Sequence, residues 1–463
     1  MPNRVFISHS TKDKDFVDNL VEHLRDHYIE TFYAPRNMPG GRWEENLITE
    51  LNNCDCFLVV LSSNSLESDY VKFEINTFLD ISPEKKVIPV LAEQCPWERL
   101  HEKINEYQLF DYVQNPREAN NRLLHEFGIN PHIFPPVVVG DIKIPVFIFV
   151  GGDGHTKFHY RDIICEGPGI LTDDSRVFTL EGDIQEFARS YIPKRQKECE
   201  EKSILFINNP QVRLNHVSWG ASNENGGLDN RPLRLKLGWT SYYHTVVTNG
   251  MTHERLPDGS TIGQKYAADI DKIHDCRLSN PIAANMSIIT KDNYIFFGIR
   301  SHKVQTLPGN YQPAVSGDGQ PEDLDKNGVY DPFRTALREA AEECVGLLVP
   351  PPSVDDVTFF GLGRWKKTRF PFLFGEIRVD ATANEVMSYE PTQRWEGERF
   401  SIPFTVESVT EWCVDRYQDY YNGRTSAASS ASIFSLLQSL RYAYPDKWPE
   451  VIRRCTINHN SPS

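Results

Sequence analysis

CFLVVLS, residues 56–62, is apolar almost without interruption. A strand with one face in water alternates apolar and polar residues; a continuous apolar run of this length is covered on both faces. Outward from it stand VFIS (5–8), TFYA (31–34), KVIPVLA (86–92) and YQLFDYV (107–113). The intervening segments read as helices beginning near Asp15, Arg42 and Asp69, the first with Phe16, Val17, Leu20, Val21 and Leu24 on one stripe. Strands alternating with amphipathic helices predict a parallel sheet with helices on both faces, hence an α/β fold for the first 130 residues.

The whole chain has 463 residues, material for roughly three domains of ordinary size. With 40% hydrophobic and 24% charged residues it has the balance of a soluble globular protein. Lys plus Arg number 49 and Asp plus Glu 64, so the net charge is −15. That field argues against broad binding to nucleic acid or acidic membranes. The nine cysteines form no CxxC pair, and Cys54 and Cys56 point to opposite faces of a strand entry. A reducing, cytoplasmic location is expected. The N-terminus lacks a signal-peptide core, and IPVFIFV (144–150) is too short to span a membrane. NPHIFPPVVVGDIKIP (130–145) is Pro-rich and non-periodic, so 1–130 is expected to be one domain, 131–200 a linker or bridging segment, and 201–463 a second domain.

Ligands of open α/β sheets bind beyond the C-terminal strand ends, at the point where strand order reverses. Three loops occupy that edge: SHSTKDKD (8–15), APRNMPGG (34–41) and SSNSLESD (62–69). None is a GxGxxG or Walker A phosphate cradle. Counted from Ser68 as N-cap, Tyr70 and Glu74 share a helix face. A ring there can stack on a nicotinamide or a sugar, and a carboxylate can stabilise the positive charge that builds when a glycosidic bond breaks. The same spacing also fits a solvated glutamate and a packing ring.

Residues 1–115 resemble a TIR domain of the kind found in bacterial immune proteins. VFISHSTKDKDFVDNL matches the family's first strand and the polar turn into its helix; FYAPRNMPGGRWEENLITELNNCDCFLVVLS matches the second strand, the Pro-Gly loop, the next helix and the third strand. SDYVKFEINTFL matches the helix that carries the family's catalytic glutamate, with Glu74 in its place and Tyr70 where many members have Trp. The resemblance implies a flavodoxin-like parallel sheet, NAD as substrate cleaved between nicotinamide and ribose by hydrolysis or cyclisation, and activation by self-association through the Pro39-Gly40 loop. It maps Ser8, His9, Arg36 and Trp43 near the NAD cleft. His9 is expected there as a contact rather than a base, since glycosidic cleavage needs no base in its first step.

In the last third, Leu337, Ala340, Ala341 and Cys344 form the apolar stripe of a helix, and Glu339, Glu342 and Glu343 fall on its other side. Carboxylates at that spacing either hold a divalent cation or face water. IITKDNYIFFGIRS, LPGNYQPAVSGDG and REAAEEC together resemble a Nudix domain, with Arg338, Glu339, Glu342 and Glu343 in register with its helix motif. That resemblance implies an α+β domain with a mixed sheet, Mg²⁺ at the three glutamates, and a nucleoside diphosphate compound as ligand. The departures are an insertion, PEDLDKNGVYD, between the Gly-rich turn and the helix, and Val345 where the closing Gly is expected. Glu322 is one option for the motif's intervening acid, Arg300 is a candidate phosphate contact, and RWKKTR, flanked by Trp365 and Phe370, is a base-stacking turn or an ordinary surface turn.

The expected whole is a bacterial antiviral effector in which a nucleotide-derived signal, bound by the Nudix-like domain, brings TIR domains together to destroy NAD. The alternatives are a bifunctional NADase and diphosphate hydrolase, and a non-catalytic TIR interaction protein.

Overall fold

The computed structural model describes residues 4–26, 29–33, 43–114, 116–127, 136–173, 175–202, 204, 206–219, 232–300, 310–346, 348, 350–388, 396–421 and 429–456. The chain divides into two compact units, Met1–Phe134 and Pro135–Ser463, the loop 258–261 excepted from the second.

In the first unit the elements run β1 (Arg4–Ser8), α1 (Lys14–Asp26), β2 (Glu30–Phe32), α2 (Trp43–Asn53), β3 (Cys56–Leu61), α3 (Ser63–Glu67), α4 (Asp69–Ile81), β4 (Lys86–Leu91), β5 (Phe110–Asp111) and α5 (Pro116–Glu126). Among the described residues the strands form one five-stranded sheet in the order β2-β1-β3-β4-β5, and every pairing is parallel. All six residues of β3 are buried, as its composition requires for a strand covered on both sides. Each such side chain contributes about 1.5–3 kcal/mol of burial.

Alternation along β1 divides the interior. Val5 and Ile7 face the core of α1 and α5, whereas Phe6 faces that of α2 and α4. On the α4 side Phe6 stacks on Phe57 at 5.6 Å, and Phe57 on Phe78 of α4 at 4.7 Å. Cys54 and Cys56 lie in these two different cores, the opposite faces their spacing requires. The short α3 and the terminal α5 have no counterpart in the strand-helix pattern read above, because SNSLE and PREANNRLLHE carry too few apolar residues to show a period.

The second unit holds β6 (Val137–Val139), β7 (Ile142–Ile144), β8 (Val146–Gly151), β9 (Ile163–Glu166), α6 (Gly182–Glu201), β10 (Pro210–Trp219), β11 (Leu233–Ser241), α7 (Tyr242–Val247) and α8 (Ile262–Tyr266). Then follow β12 (Ala283–Thr290), β13 (Tyr294–Arg300), β14 (Tyr311–Pro313), β15 (Val315–Asp318), α9 (Pro332–Ala340), β16 (Val357–Trp365), β17 (Pro371–Val379), α10 (Ala383–Met387) and β18 (Glu396–Pro403). The unit ends with α11 (Val406–Tyr421), α12 (Ser430–Ala443) and α13 (Trp448–Arg454). Its main sheet is mixed: β12 pairs parallel with β17, while β13, β15, β16 and β8 join antiparallel. One face carries α9 and the other α12.

The stretch 131–200, read above as a linker or bridge, contributes β8 to this sheet and β9 to a second, three-stranded one. Within the Pro-rich run, β6 and β7 form a hairpin turning at Gly140, whose φ is +61°. A Cβ there would lie 2.4 Å from the Cys455 carbonyl carbon, so the turn needs glycine. Among the described residues no helix is long and apolar enough to cross a membrane.

Candidate active site of the first unit

The strand order reverses about β1, so the crevice between the ends of β1 and β3 is the place where this sheet type binds ligands. Two hydrogen bonds and one ring contact draw the loops around it together. Ser62 caps α3 and donates through its hydroxyl to Asp13 at 2.6 Å; Asn64 donates to the other Asp13 oxygen at 2.7 Å. Asp13 therefore ties the turn after β1 to the turn after β3. The turn after β1 also meets the end of β2, where His9 sits edge-on to Tyr33 at 5.7 Å.

Ser68 is the N-cap of α4, accepting from the Val71 amide, as its position requires. Glu74, in the second turn, points inward: it is 7% exposed, and Ser8, fully buried at the end of β1, donates to its Oε2 at 2.5 Å. Burial pushes the Glu74 carboxyl up to about 7, and the Ser8 hydrogen bond pulls in the opposite direction. Tyr70, one turn earlier, is 62% exposed and stands at the rim. This end of the sheet thus carries a desolvated carboxylate and, one helical turn away, an exposed ring.

Ser8, His9, Tyr70 and Glu74 lie together at this edge of the sheet. Ser8, expected as a ligand contact, has its hydroxyl engaged by Glu74. His9 is half-buried, with Nδ1 3.3 Å from the Ile7 carbonyl oxygen. Arg36 and the side chain of Trp43 lie outside the described residues, as does the Pro39-Gly40 loop. Asp13 and Tyr33 were missed: one is an acid in a turn with several, the other a ring in a short apolar strand, and no spacing marks either.

In the second unit the helix read over 332–346 is α-helical to Ala340 and continues as a single π-helical turn, Ala341–Val345. Its buried face is wider than the stripe read from sequence. It takes in Glu339 and Glu343 together with Phe333, Ala336, Ala340 and Cys344. Glu339 lies against β15, where a Cβ on Gly317 would fall 1.9 Å from its carboxyl carbon. Glu343 accepts from the Ser316 amide at 3.2 Å.

Glu339 and Glu342, two of the three acids expected at Mg²⁺, flank a cationic side chain in this structure. Arg338 lies among the acids, with Nη1 2.7 Å from Glu339 and 3.4 Å from Glu342. Among the described residues no three His, Cys, Asp or Glu side chains come together to hold a metal ion. Of the two acids in the turn before the helix, Asp323 rather than Glu322 meets Arg338. Asp323, 1% exposed, takes Arg338 in a bidentate pair at 2.8 and 3.0 Å and also accepts from Thr335. Burial holds Glu339 above the usual carboxylate range despite Arg338 beside it. The backbone of Arg300 is in β13, and its side chain lies outside the described residues.

In RWKKTR both arginines, Arg364 and Arg369, are buried, whereas Lys367 is exposed. Trp365 stacks on Phe372 at 4.6 Å, and the buried Arg364 donates to the carbonyls of Arg369 and Ile270.

Residues 5–124 match the family model of the TIR domain, so the N-terminal unit carries a TIR domain. A comparison with curated proteins finds no match. Among solved structures, the chain is similar to the TIR domain of the Toll-related receptor TRR-2 from Hydra magnipapillata, at 23% identity over 27% of this chain and 98% of that one, TM-score 0.23. It is similar to the TIR domains of the activated Roq1 resistosome directly recognizing the pathogen effector XopQ, at 19% identity over 27% of this chain and 99% of that one, TM-score 0.24. It is also similar to DR0079 from Deinococcus radiodurans, at 16% identity over 33% of this chain and 80% of that one, TM-score 0.23.

Proposed function

We propose that the TIR domain of this chain is an NAD nucleosidase in which Glu74 is the catalytic carboxylate. The observation that carries this reading is a carboxylate buried at the topological switch point, with a single serine hydroxyl as its hydrogen-bond donor among the described residues. When the bond between nicotinamide and ribose breaks, nicotinamide leaves with the bonding electron pair, and positive charge spreads over the anomeric carbon and ring oxygen. A carboxylate in a dry site stabilises that charge far more than one in water. Water, or the adenine ring of the same molecule, then takes the ribosyl cation, giving linear or cyclic ADP-ribose. Tyr70 offers an exposed ring for the nicotinamide or ribose face, and His9, Arg36 and Trp43 are the further NAD contacts proposed.

At the level of the whole chain we read a bacterial antiviral effector, its Nudix-like second unit a sensor for a nucleotide-derived signal and its TIR domain active on self-association. The Arg338 network favours sensing over hydrolysis. Its acids already surround an internal cation. The bifunctional reading and the non-catalytic one separate from this in one experiment. Full-length protein at high concentration is incubated with NAD, with and without Mg²⁺, and the products are resolved. Nicotinamide with linear or cyclic ADP-ribose is the expected result, and Glu74→Gln is expected to stop its release. AMP and ribose 5-phosphate appearing only with Mg²⁺ would favour the bifunctional enzyme. Nicotinamide release that survives Glu74→Gln would remove the assignment.

A further inference from the structure

We infer that Ser8 is a positioning residue for Glu74: from the end of β1 its hydroxyl orients the carboxylate in the cleft and favours its charged form. The inference rests on the nucleosidase reading and gives Ser8 a task different from touching NAD.

The contact follows from register. Phe6 and Ser8 are two apart on β1 and point to the same face, the one covered by α4. Phe78 and Glu74 are four apart on α4 and share a face. Two residues of strand advance about 6.6 Å and four residues of helix about 6 Å, so the two spacings nearly match. The stacked row Phe6–Phe57–Phe78 fixes one rung between strand and helix, and Ser8–Glu74 is the next rung. Neither partner has room to swing out, since Ser8 is fully buried and Glu74 7% exposed.

The contact is also short. At 2.5 Å it lies in the range of a hydroxyl donating to an ionised carboxylate. The elements packed against α4 bring other titratable groups: Arg4 on β1, Glu50 on α2, Cys56 on β3 and Glu67 on α3. Arg4 and Glu50 pair with each other at 2.6 Å, and His9 turns toward the Ile7 carbonyl. Burial and the Ser8 hydroxyl account for the proton affinity of Glu74, with no charged neighbour among its causes. Among the described residues Ser8 is therefore the group available to hold the carboxylate in its charged form against the dry surroundings.

The test uses full-length Ser8→Ala and Ser8→Thr, with thermal unfolding as the check on folding. Two quantities are read: kcat/KM for nicotinamide release across pH 5.5–9, and the carboxyl ¹³C titration of Glu74, assigned by its loss in Glu74→Gln. In Ser8→Ala the acid limb of the rate and the ¹³C midpoint are expected to move up together by about one pH unit, roughly tenfold in rate at the foot of the limb. The rate should recover at pH 9, and Ser8→Thr, which keeps the hydroxyl at a strand position, should restore both. A midpoint that stays in place, or a rate loss equal at every pH, would overturn the role of Ser8. If Glu74→Gln still releases nicotinamide, the nucleosidase reading fails instead, and the ¹³C titration decides the Ser8 contact on its own.

Discussion

Burial raises the proton affinity of the Glu74 carboxyl up to about 7, which brings its titration toward the neutral range. If the charged form does the chemistry, kcat/KM should rise through pH 7 and level off above it, since that parameter reports the free enzyme. The nicotinamide riboside end of bound NAD is cationic and favours the carboxylate. The limb in kcat is therefore expected at lower pH than the limb in kcat/KM, and steady-state rates across pH measure both. Stability carries the opposite sign. A folded-state proton affinity above the ordinary 4.5 contributes stability that is complete below pH 4.5 and is lost as pH rises through about 7. At pH 8 the buried charge costs about 3 kcal/mol. Glu74→Gln, which can still accept from Ser8, should raise the melting temperature of the first unit at pH 8 and leave it nearly unchanged at pH 5. The sequence made Glu74 visible through its spacing from Ser68 and Tyr70. The partner Ser8 was not legible as such: it lies 66 positions away, and only the stacked phenylalanines bring the two into register.

Among the elements, β1, β3 and α4 were readable because their apolar content leaves one way to bury them; the bounds of both strands and the start of α4 fall within a residue of the pattern. The helix at 332–345 was readable in position and misread in its faces. Periodicity sets the acids opposite the apolar stripe, on a cation or in water, yet Glu339 and Glu343 are inside because β15 offers a side-chain-free Gly317 and the Ser316 amide to receive them. Nor does sequence distinguish Glu322 from Asp323; the turn before the helix buries the second and exposes the first. Arg338 neutralises what would otherwise be uncompensated buried acids. Arg338→Met should therefore destabilise the second unit by about 3–5 kcal/mol, the usual cost of breaking a buried pair from one side. Thermal unfolding, with hydrogen exchange over 332–346, reads that loss; amide protection in α9 equal to wild type would show that the pair is dispensable.

For the molecule as a whole, the alternation of short apolar strands and helices marked out the N-terminal α/β fold, and the match over residues 5–124 agrees with it. What lay beyond was harder to see. The strands at 146–151 and 163–166 enter two different sheets through partners more than sixty residues away, and no local signal carries such pairing. The net charge of −15 matters for a protein proposed to take an anionic dinucleotide, because positive charge must then be gathered locally. The central claim is that Glu74 breaks the nicotinamide–ribose bond, and it is tested most directly at pH 8. There Glu74→Gln is expected to be the better-folded protein, so its behaviour cannot be ascribed to unfolding. Nicotinamide release from NAD by full-length wild type and by Glu74→Gln is measured side by side at matched high concentration. Release by the wild type with none above background from the more stable variant is the expected result; equal release by both would contradict it.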